Sequence, residues 1–107
     1  MDLEFQVLSF YDADRFIRSL PISDQIKIES AFTAMRKGHF RIVYTKALRG
    51  PIRELIVKDY RVIYFLIEKT IYFVRCFRKT SAKTPKAEIE MAENIYKSLT
   101  KILNERN

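Results

Sequence analysis

The side chains best suited to chemistry in this 107-residue sequence are cations, and they concentrate between residues 53 and 85. Arg61 interrupts a segment, residues 60–67, that is otherwise apolar. An arginine stays charged inside a protein and is costly to bury without a partner. Arg61 is therefore expected either to pair with a carboxylate such as Glu54 or to face an open site that binds an anion.

A basic loop, RKTSAKT at residues 78–84, follows the apolar segments and leads into the predicted last helix. The free N–H groups at the start of a helix also favour an anion. The cations of this loop are Arg78, Lys79 and Lys83. Further cations that extend the predicted basic surface, each equally consistent with an ordinary solvated position, are Lys46, Arg49 and Arg53.

The formal net charge of +7 comes from the middle of the chain. Residues 1–35 hold three Lys/Arg and six Asp/Glu, residues 36–86 hold fourteen and three, and residues 87–107 hold three and four. The three segments thus carry −3, +11 and −1. A basic block in which cations alternate with aromatic residues indicates a surface for RNA, DNA or an acidic protein segment. The alternative is a basic surface that serves solubility alone.

Several chemistries have no motif in this sequence. It contains no glycine-rich phosphate loop, no CxxC, no HExxH and no Ser/His/Asp set, so no metal and no cofactor are expected. His39 is interpreted as an exposed turn residue and Cys76 as a small core residue. One cysteine cannot form an internal disulfide, and no apolar run reaches the ~18 residues of a membrane span. A cytoplasmic protein without a membrane segment is expected.

The pattern of apolar residues predicts one α+β domain over residues 1–107, in the order strand, helix, helix, strands, helix. Helix starts are predicted at Asp12, Ser23 and Thr84, each as an N-cap, with Pro85 at the first position of the last helix. A strand or extended arm is predicted over residues 40–48, and Gly50 begins a turn. The predicted strands cover residues 3–10, 53–57, 60–67 and 71–77. An N-terminal helical hairpin and a C-terminal helix are expected to cover a small antiparallel sheet.

The pairing of the last two strands decides what lies beside Arg61, and two registers are possible. A two-residue turn at Lys69 and Thr70 would place Arg61 opposite Arg78. A three-residue turn would place Phe77 opposite Arg61 and Arg75 opposite Ile63. Two arginines in direct opposition repel each other unless both bind a phosphate.

Three runs of sequence together resemble the HigB-like branch of the RelE/ParE toxin superfamily. They are Arg53-Glu54-Leu55, then residues 60–65 (YRVIYF), then Phe77-Arg78-Lys79-Thr80 with Lys83-Thr84-Pro85. The resemblance implies a small type II toxin that cuts mRNA in the ribosomal A site without a metal ion. It also implies a complex with a cognate antitoxin, usually a helix-turn-helix protein in this branch.

RNA cleavage without metal needs a base for the ribose 2′-hydroxyl, cations for the phosphate and an acid for the leaving oxygen. The resemblance assigns phosphate binding to Arg61 and makes Arg78 and Lys79 catalytic. The cations expected to bind RNA are Lys46, Arg49, Arg53, Arg75 and Lys83. Two features differ from the family pattern: Ile56 stands where a cation is expected, and residues 78–90 contain no Tyr or His.

Two other functions fit the same sequence features. One is a ParE-like toxin that poisons DNA gyrase through protein contacts and leaves RNA intact, since a shared fold does not fix function. The other is a basic nucleic-acid-binding module without toxicity. Its binding to RNA would depend steeply on salt, and it would not cleave mRNA on ribosomes.

Overall fold

The computed structural model of the protein describes residues 4–106 and contains one five-stranded sheet with helices on both faces. The strands are β1 (Gln6–Ser9), β2 (Tyr44–Arg49), β3 (Ile52–Val57), β4 (Tyr60–Ile67) and β5 (Thr70–Arg78). The helices are α1 (Tyr11–Arg18), α2 (Ile22–Arg36) and α3 (Lys86–Glu105), and a short 3-10 turn covers Phe40–Ile42. This order confirms the predicted α+β class and the predicted sequence of elements.

The sheet has the strand order β1-β5-β4-β3-β2, and its last four strands form an antiparallel meander. Strand β1 joins it at the far edge and runs parallel to β5, so the sheet is mixed, whereas the sequence predicted antiparallel pairing throughout. The segment predicted as strand or arm divides into the 3-10 turn and β2. Of the strand predicted over residues 3–10, Leu3 lies outside the described residues.

Each face of the sheet has its own apolar core. The face under α1 and α2, called the hairpin face, packs Ile28, Phe32 and Met35 against Leu55 and Phe73, among others. The opposite face, called the α3 face, packs helix α3 against the sheet through residues including Ile52, Ile63, Phe65, Ala92 and Tyr96. Burial of apolar side chains on both faces is what makes β4 almost continuously apolar.

The turns of the meander use residues that adopt a positive φ. Lys58 opens the turn between β3 and β4, and Glu68 opens the turn between β4 and β5, both with φ near 55°. Gly38 and Gly50 also have positive φ, as expected for the cap of α2 and for the turn before β3. The turn between β4 and β5 is therefore Glu68-Lys69, and it ends one residue earlier than either predicted turn, because Thr70 already pairs with Ile67.

A bulge in β5 sets the register beside Arg61. Tyr64 pairs with Phe73, but Ile63 pairs with Arg75, so Val74 is the extra residue. The result places Phe77 opposite Arg61, which is the second of the two predicted registers. Because side chains alternate along a strand, one extra residue exchanges the faces of all residues beyond it. The bulge therefore puts Arg75 on the α3 face and Arg78 on the hairpin face.

The helix starts differ from the predicted caps. The N-cap positions are Phe10, Pro21 and Pro85, and none of them makes a side-chain capping bond. The hydroxyl of Thr84, predicted to cap α3, instead donates to the Glu54 carboxylate. No helix among residues 4–106 is both long and apolar enough to cross a membrane.

Candidate nucleic-acid interface

Arg61 lies on the α3 face and has no carboxylate partner among the described residues. Its side chain is 9% exposed, and Nη1 donates to the carbonyl oxygens of Lys58 (3.1 Å) and Tyr60 (2.9 Å). Its Nε is buried without a hydrogen-bond partner. A nearly buried, unneutralised guanidinium is the arrangement that favours an external anion, and Nη2 is the group left to meet it.

The α3 face also has a cleft whose lining includes Glu54, a diagonal cross-strand neighbour of Arg61, but not Arg61 itself. It has a volume of about 250 Å³ and is lined by residues of β2, β3, the basic loop and α3. Three of its lining residues are the lysines Lys46, Lys79 and Lys83. None of these lysines forms an ion pair within residues 4–106. We call this cleft the basic cleft.

Glu54 is the one carboxylate among the described residues that line the basic cleft. It is 3% exposed, and its Oε1 accepts the Thr84 hydroxyl at 2.6 Å. Glu54 pairs with Ile63, so it is a diagonal neighbour of Arg61 at a Cα separation of roughly 7–8 Å. The two side chains form no ion pair, so of the two alternatives predicted for Arg61, the one in which Glu54 neutralises it is wrong.

Arg78 is separated from Arg61 by the sheet. On the hairpin face, its Nη1 donates to Asp59 at 2.6 Å and its Nη2 to the Tyr60 hydroxyl at 2.9 Å. The adjacent Arg78 guanidinium lowers the pKa of Asp59, and the Asp59 carboxylate in turn raises the pKa of Arg78. The predicted pair Arg78 and Lys79 is thus divided, because only Lys79 lines the basic cleft.

The other predicted RNA-binding arginines are engaged within the chain. Arg53 lies on the hairpin face, where it donates to the hydroxyls of Tyr64 and Thr45. Arg49 binds Glu93 of α3 through two hydrogen bonds of 3.1 and 2.8 Å. Arg75 binds Glu88 through two bonds of 2.6 and 3.1 Å and also reaches Asp12 at 3.2 Å. The bonds of Arg49 and Arg75 to glutamates hold α3 against the sheet.

Tyr44 is a candidate that the sequence reasoning missed. The registers of β2 to β5 place Tyr44, Ile56, Arg61 and Phe77 in one cross-strand row on the α3 face. Tyr44 is 78% exposed, so its ring is accessible to a ligand that binds on this face. The sequence did contain a signal for Tyr44. Lys46 follows it by two residues, so in a strand the two side chains lie on the same face.

The two residues dismissed as catalytic candidates lie where the sequence predicted. His39 is exposed and Cys76 is buried. Burial raises the pKa of the Cys76 thiol to about 12, so it is protonated at neutral pH and is a poor nucleophile. Among residues 4–106, no group of three or more His, Cys, Asp or Glu side chains is arranged to hold a metal ion.

Comparison with known proteins gives the class of this chain. A family model described as Phage derived protein Gp49-like (DUF891) matches residues 15–97. This match covers more than half of the sequence, and the protein belongs to the Gp49-like family. A search of curated proteins finds no match.

Two solved structures share the fold. One is the archaeal RelE–RelB complex from Pyrococcus horikoshii OT3, with a TM-score of 0.62 and 17% identity, covering 74% of this chain and 99% of the other. The second is the toxin–antitoxin complex RelBE2 from Mycobacterium tuberculosis, with a TM-score of 0.58 and 21% identity, covering 71% and 99%. The protein therefore has the fold of RelE toxins.

Proposed function

We propose that the protein is the toxin of a type II toxin–antitoxin pair and that it cleaves mRNA on the ribosome. The observation that carries this proposal is Arg61, a nearly buried guanidinium without a carboxylate partner within residues 4–106, on the same sheet face as a cleft lined by three lysines. An unneutralised guanidinium on the sheet of a RelE-type fold supports binding of an RNA phosphate. The HigB-like assignment rests on the three sequence runs described above.

In the proposed reaction, each residue acts on the phosphate or on a proton. Arg61 binds the scissile phosphate, and Lys79 stabilises the negative charge that develops on its oxygens. Lys46 and Lys83 hold the flanking phosphates of the RNA. Glu54, the carboxylate in the basic cleft, accepts the proton of the 2′-hydroxyl as that oxygen attacks. A lysine of the cleft returns a proton to the 5′ oxygen that leaves.

The remaining predicted residues have indirect roles in this proposal. Arg49 and Arg75 keep α3 on the sheet beside the basic cleft, since both are bound to glutamates of that helix. Arg53 and Arg78 lie on the opposite face, so we propose no contact between them and the scissile phosphate. The proposed partners are the ribosome with its mRNA and a cognate antitoxin of helix-turn-helix type, in a hetero-oligomeric complex.

The test is primer extension on mRNA after induction, with wild type compared with Arg61→Ala. We expect site-specific cuts for wild type and a loss of cleavage on the order of 10²–10³-fold for the variant, as when one charge-stabilising donor is removed from an active site. Arg36→Ala is the matched control, because Arg36 is an exposed arginine at the end of α2. It should cleave like wild type.

Two outcomes would contradict the proposal. If wild type arrests growth with DNA damage and intact mRNA, and a folded Arg61→Ala protein is equally toxic, the ParE-like function is selected. The lack of Tyr and His in residues 78–90 favours this alternative. If wild type neither arrests growth nor cuts mRNA but binds RNA in a strongly salt-dependent manner, the protein is a simple nucleic-acid-binding module.

A further inference from the structure

The orientation of Arg61 depends on the turn between β3 and β4. Its Nη1 donates to the carbonyl oxygens of Lys58 and Tyr60, which flank Asp59 in that turn. Two carbonyl acceptors fix the plane of a guanidinium, whereas water would leave it free to rotate. Any displacement of the turn therefore changes the direction in which Arg61 presents its free nitrogen.

The turn is fastened from the opposite face by one residue of α2. The carboxylate of Asp24 accepts from Lys58 Nζ at 2.8 Å and from the Tyr60 hydroxyl at 2.6 Å. Asp24 is itself buried, and its helix packs on the hairpin face. Both residues whose carbonyls hold Arg61 are thus bound, through their side chains, to the same carboxylate.

A second fastening joins the end of β5 to the same turn. Arg78 bridges Asp59 and the Tyr60 hydroxyl, and the backbone N–H of Lys79 donates to the Asp59 carbonyl at 2.7 Å. The Tyr60 hydroxyl thus lies between the Asp24 carboxylate and the Arg78 guanidinium.

The turn also has a strained residue, Lys58, at φ 55°. A non-glycine residue holds this conformation only where its surroundings impose it.

We propose that Asp24 is a positioning residue that acts, through Lys58 and Tyr60, to hold Arg61 in the orientation that binds an anion. The inference rests on the proposed function for the identity of the anion, an RNA phosphate. Arg78 binds the same turn through Asp59 and Tyr60, so its effect on activity is also indirect. Helix α2 would then influence cleavage from the face of the sheet that the RNA does not contact.

Asp24→Asn tests this, because it keeps the size of the side chain and removes its charge. We expect ribosome-dependent cleavage to fall about tenfold or more in kcat, with little change in KM for the ribosome, since a misplaced group slows the chemical step. Asp14→Asn is the control. It breaks the Asp14–Arg18 ion pair of 2.9 Å on α1, away from the turn, and should leave cleavage unchanged.

A double-mutant cycle distinguishes positioning from general loss of structure. If Asp24 acts through Arg61, Asp24→Asn should have no further effect in an Arg61→Ala background. Independent effects that multiply would overturn the proposal. So would an unchanged kcat in a folded Asp24→Asn protein, with folding checked by circular dichroism.

A spectroscopic measurement keeps the inference testable if wild type shows no cleavage. The Arg61 Nε–H is buried, so its ¹⁵N–¹H resonance should be observable and slow to exchange in wild type. We expect this resonance to shift and to exchange faster in Asp24→Asn but not in Asp14→Asn. An unperturbed resonance would contradict the positioning role. Absence of cleavage by wild type would instead contradict the proposed function alone.

Discussion

The Thr84 hydroxyl donates a 2.6 Å hydrogen bond to the buried Glu54 carboxylate, and this bond ties the basic loop to the middle of β3. Thr84 is the last loop residue before the cap of α3 at Pro85. The same contact therefore fixes both the loop that carries Lys79 and Lys83 and the position at which α3 begins. It also orients Glu54, which is the one carboxylate among the described residues that line the basic cleft.

Thr84→Val should destabilise the protein, because it leaves a buried carboxylate without its donor. Hydrogen bonds to charged groups contribute roughly 1.5–3 kcal/mol, so we expect the unfolding free energy in urea to fall by about 2 kcal/mol. Thr84→Ser keeps a hydroxyl and is the control, with a loss well below that of valine. If both variants lose the same stability, the hydrogen bond is not the cause.

The sequence predicted the order of elements because that order follows from apolar periodicity and turn residues, which are local. The segments around Arg61 alternate or run apolar as strands do, and Gly38 and Gly50 lie where a positive φ is needed. The helix N-caps were less predictable. Thr84 has the right residue type for a cap, but a buried carboxylate 30 residues earlier competes for its hydroxyl.

The sequence predicted only part of the candidate site, and one reason is the bulge at Val74. The face occupied by Arg75 and Arg78 depends on the bulge at Val74, and nothing in the local sequence distinguishes Val74 from its apolar neighbours. Ion pairs such as Arg49–Glu93 join residues far apart in the chain, so they also follow from the tertiary fold and not from composition. The predicted cations that lie together on the α3 face are Lys46, Arg61, Lys79 and Lys83.

The Arg75–Glu88 pair should contribute to stability more than an exposed ion pair does. Its two hydrogen bonds are bidentate, both side chains are about three-quarters buried, and Glu88 raises the pKa of Arg75. We expect Arg75→Ala to lower the unfolding free energy by about 2 kcal/mol, as when one partner of a partly buried charge pair is removed. Arg18→Ala, in the exposed pair with Asp14, should cost less than about 1 kcal/mol.

A comparison of Arg75→Ala with Glu88→Ala also tests whether Arg75 binds RNA. If its role is to hold α3, Glu88→Ala should reproduce the effect of Arg75→Ala on both stability and cleavage. A loss of RNA binding in a fully stable Arg75→Ala protein, with Glu88→Ala unaffected, would show instead that Arg75 contacts the RNA directly.

The contacts of Asp24 with Lys58 and Tyr60 should stabilise the protein to an extent that depends on pH in a defined direction. Hydrogen bonds from Lys58 and Tyr60 lower the pKa of Asp24, so its stabilising effect is present above its ordinary pKa of about 4 and is lost as the pH falls through the lowered value. The bond to Asp24 raises the pKa values of Lys58 and Tyr60, so their contributions are lost as the pH rises above about 10.

The measurement is the difference in unfolding free energy between wild type and Asp24→Asn as a function of pH. We expect a plateau from about pH 5 to pH 9, with the difference shrinking on both sides of it. A difference that stays constant down to about pH 2 would mean that the Asp24 carboxylate is not stabilised by these partners.

Cys76 should be unreactive in the folded protein. Its thiol is buried on the hairpin face, and burial raises its pKa to about 12, so the thiolate that alkylating reagents need is scarce at neutral pH. We expect iodoacetamide to label Cys76 only after denaturation, which can be followed by mass spectrometry. Rapid labelling of native protein at pH 7.5 would contradict the burial.

Tyr44 should bind a base of the RNA by stacking. Its ring is exposed, it shares a cross-strand row with Arg61, and Ile56 between them provides an apolar floor where the related family pattern has a cation. Stacking of one base on an aromatic ring contributes roughly 1–3 kcal/mol. We therefore expect Tyr44→Ala to weaken binding of a non-cleavable 2′-O-methyl RNA about tenfold or more, and Tyr44→Phe to bind like wild type.

Tyr11→Ala is the matched control for Tyr44→Ala. Tyr11 is 74% exposed, close to the 78% of Tyr44, but it lies at the start of α1 and outside the row that contains Arg61. Fluorescence anisotropy with a labelled oligonucleotide at fixed salt measures all three variants. Equal weakening by Tyr11→Ala and Tyr44→Ala would indicate a nonspecific effect of losing an exposed ring, and a loss in Tyr44→Phe would assign the role to the hydroxyl instead of to stacking.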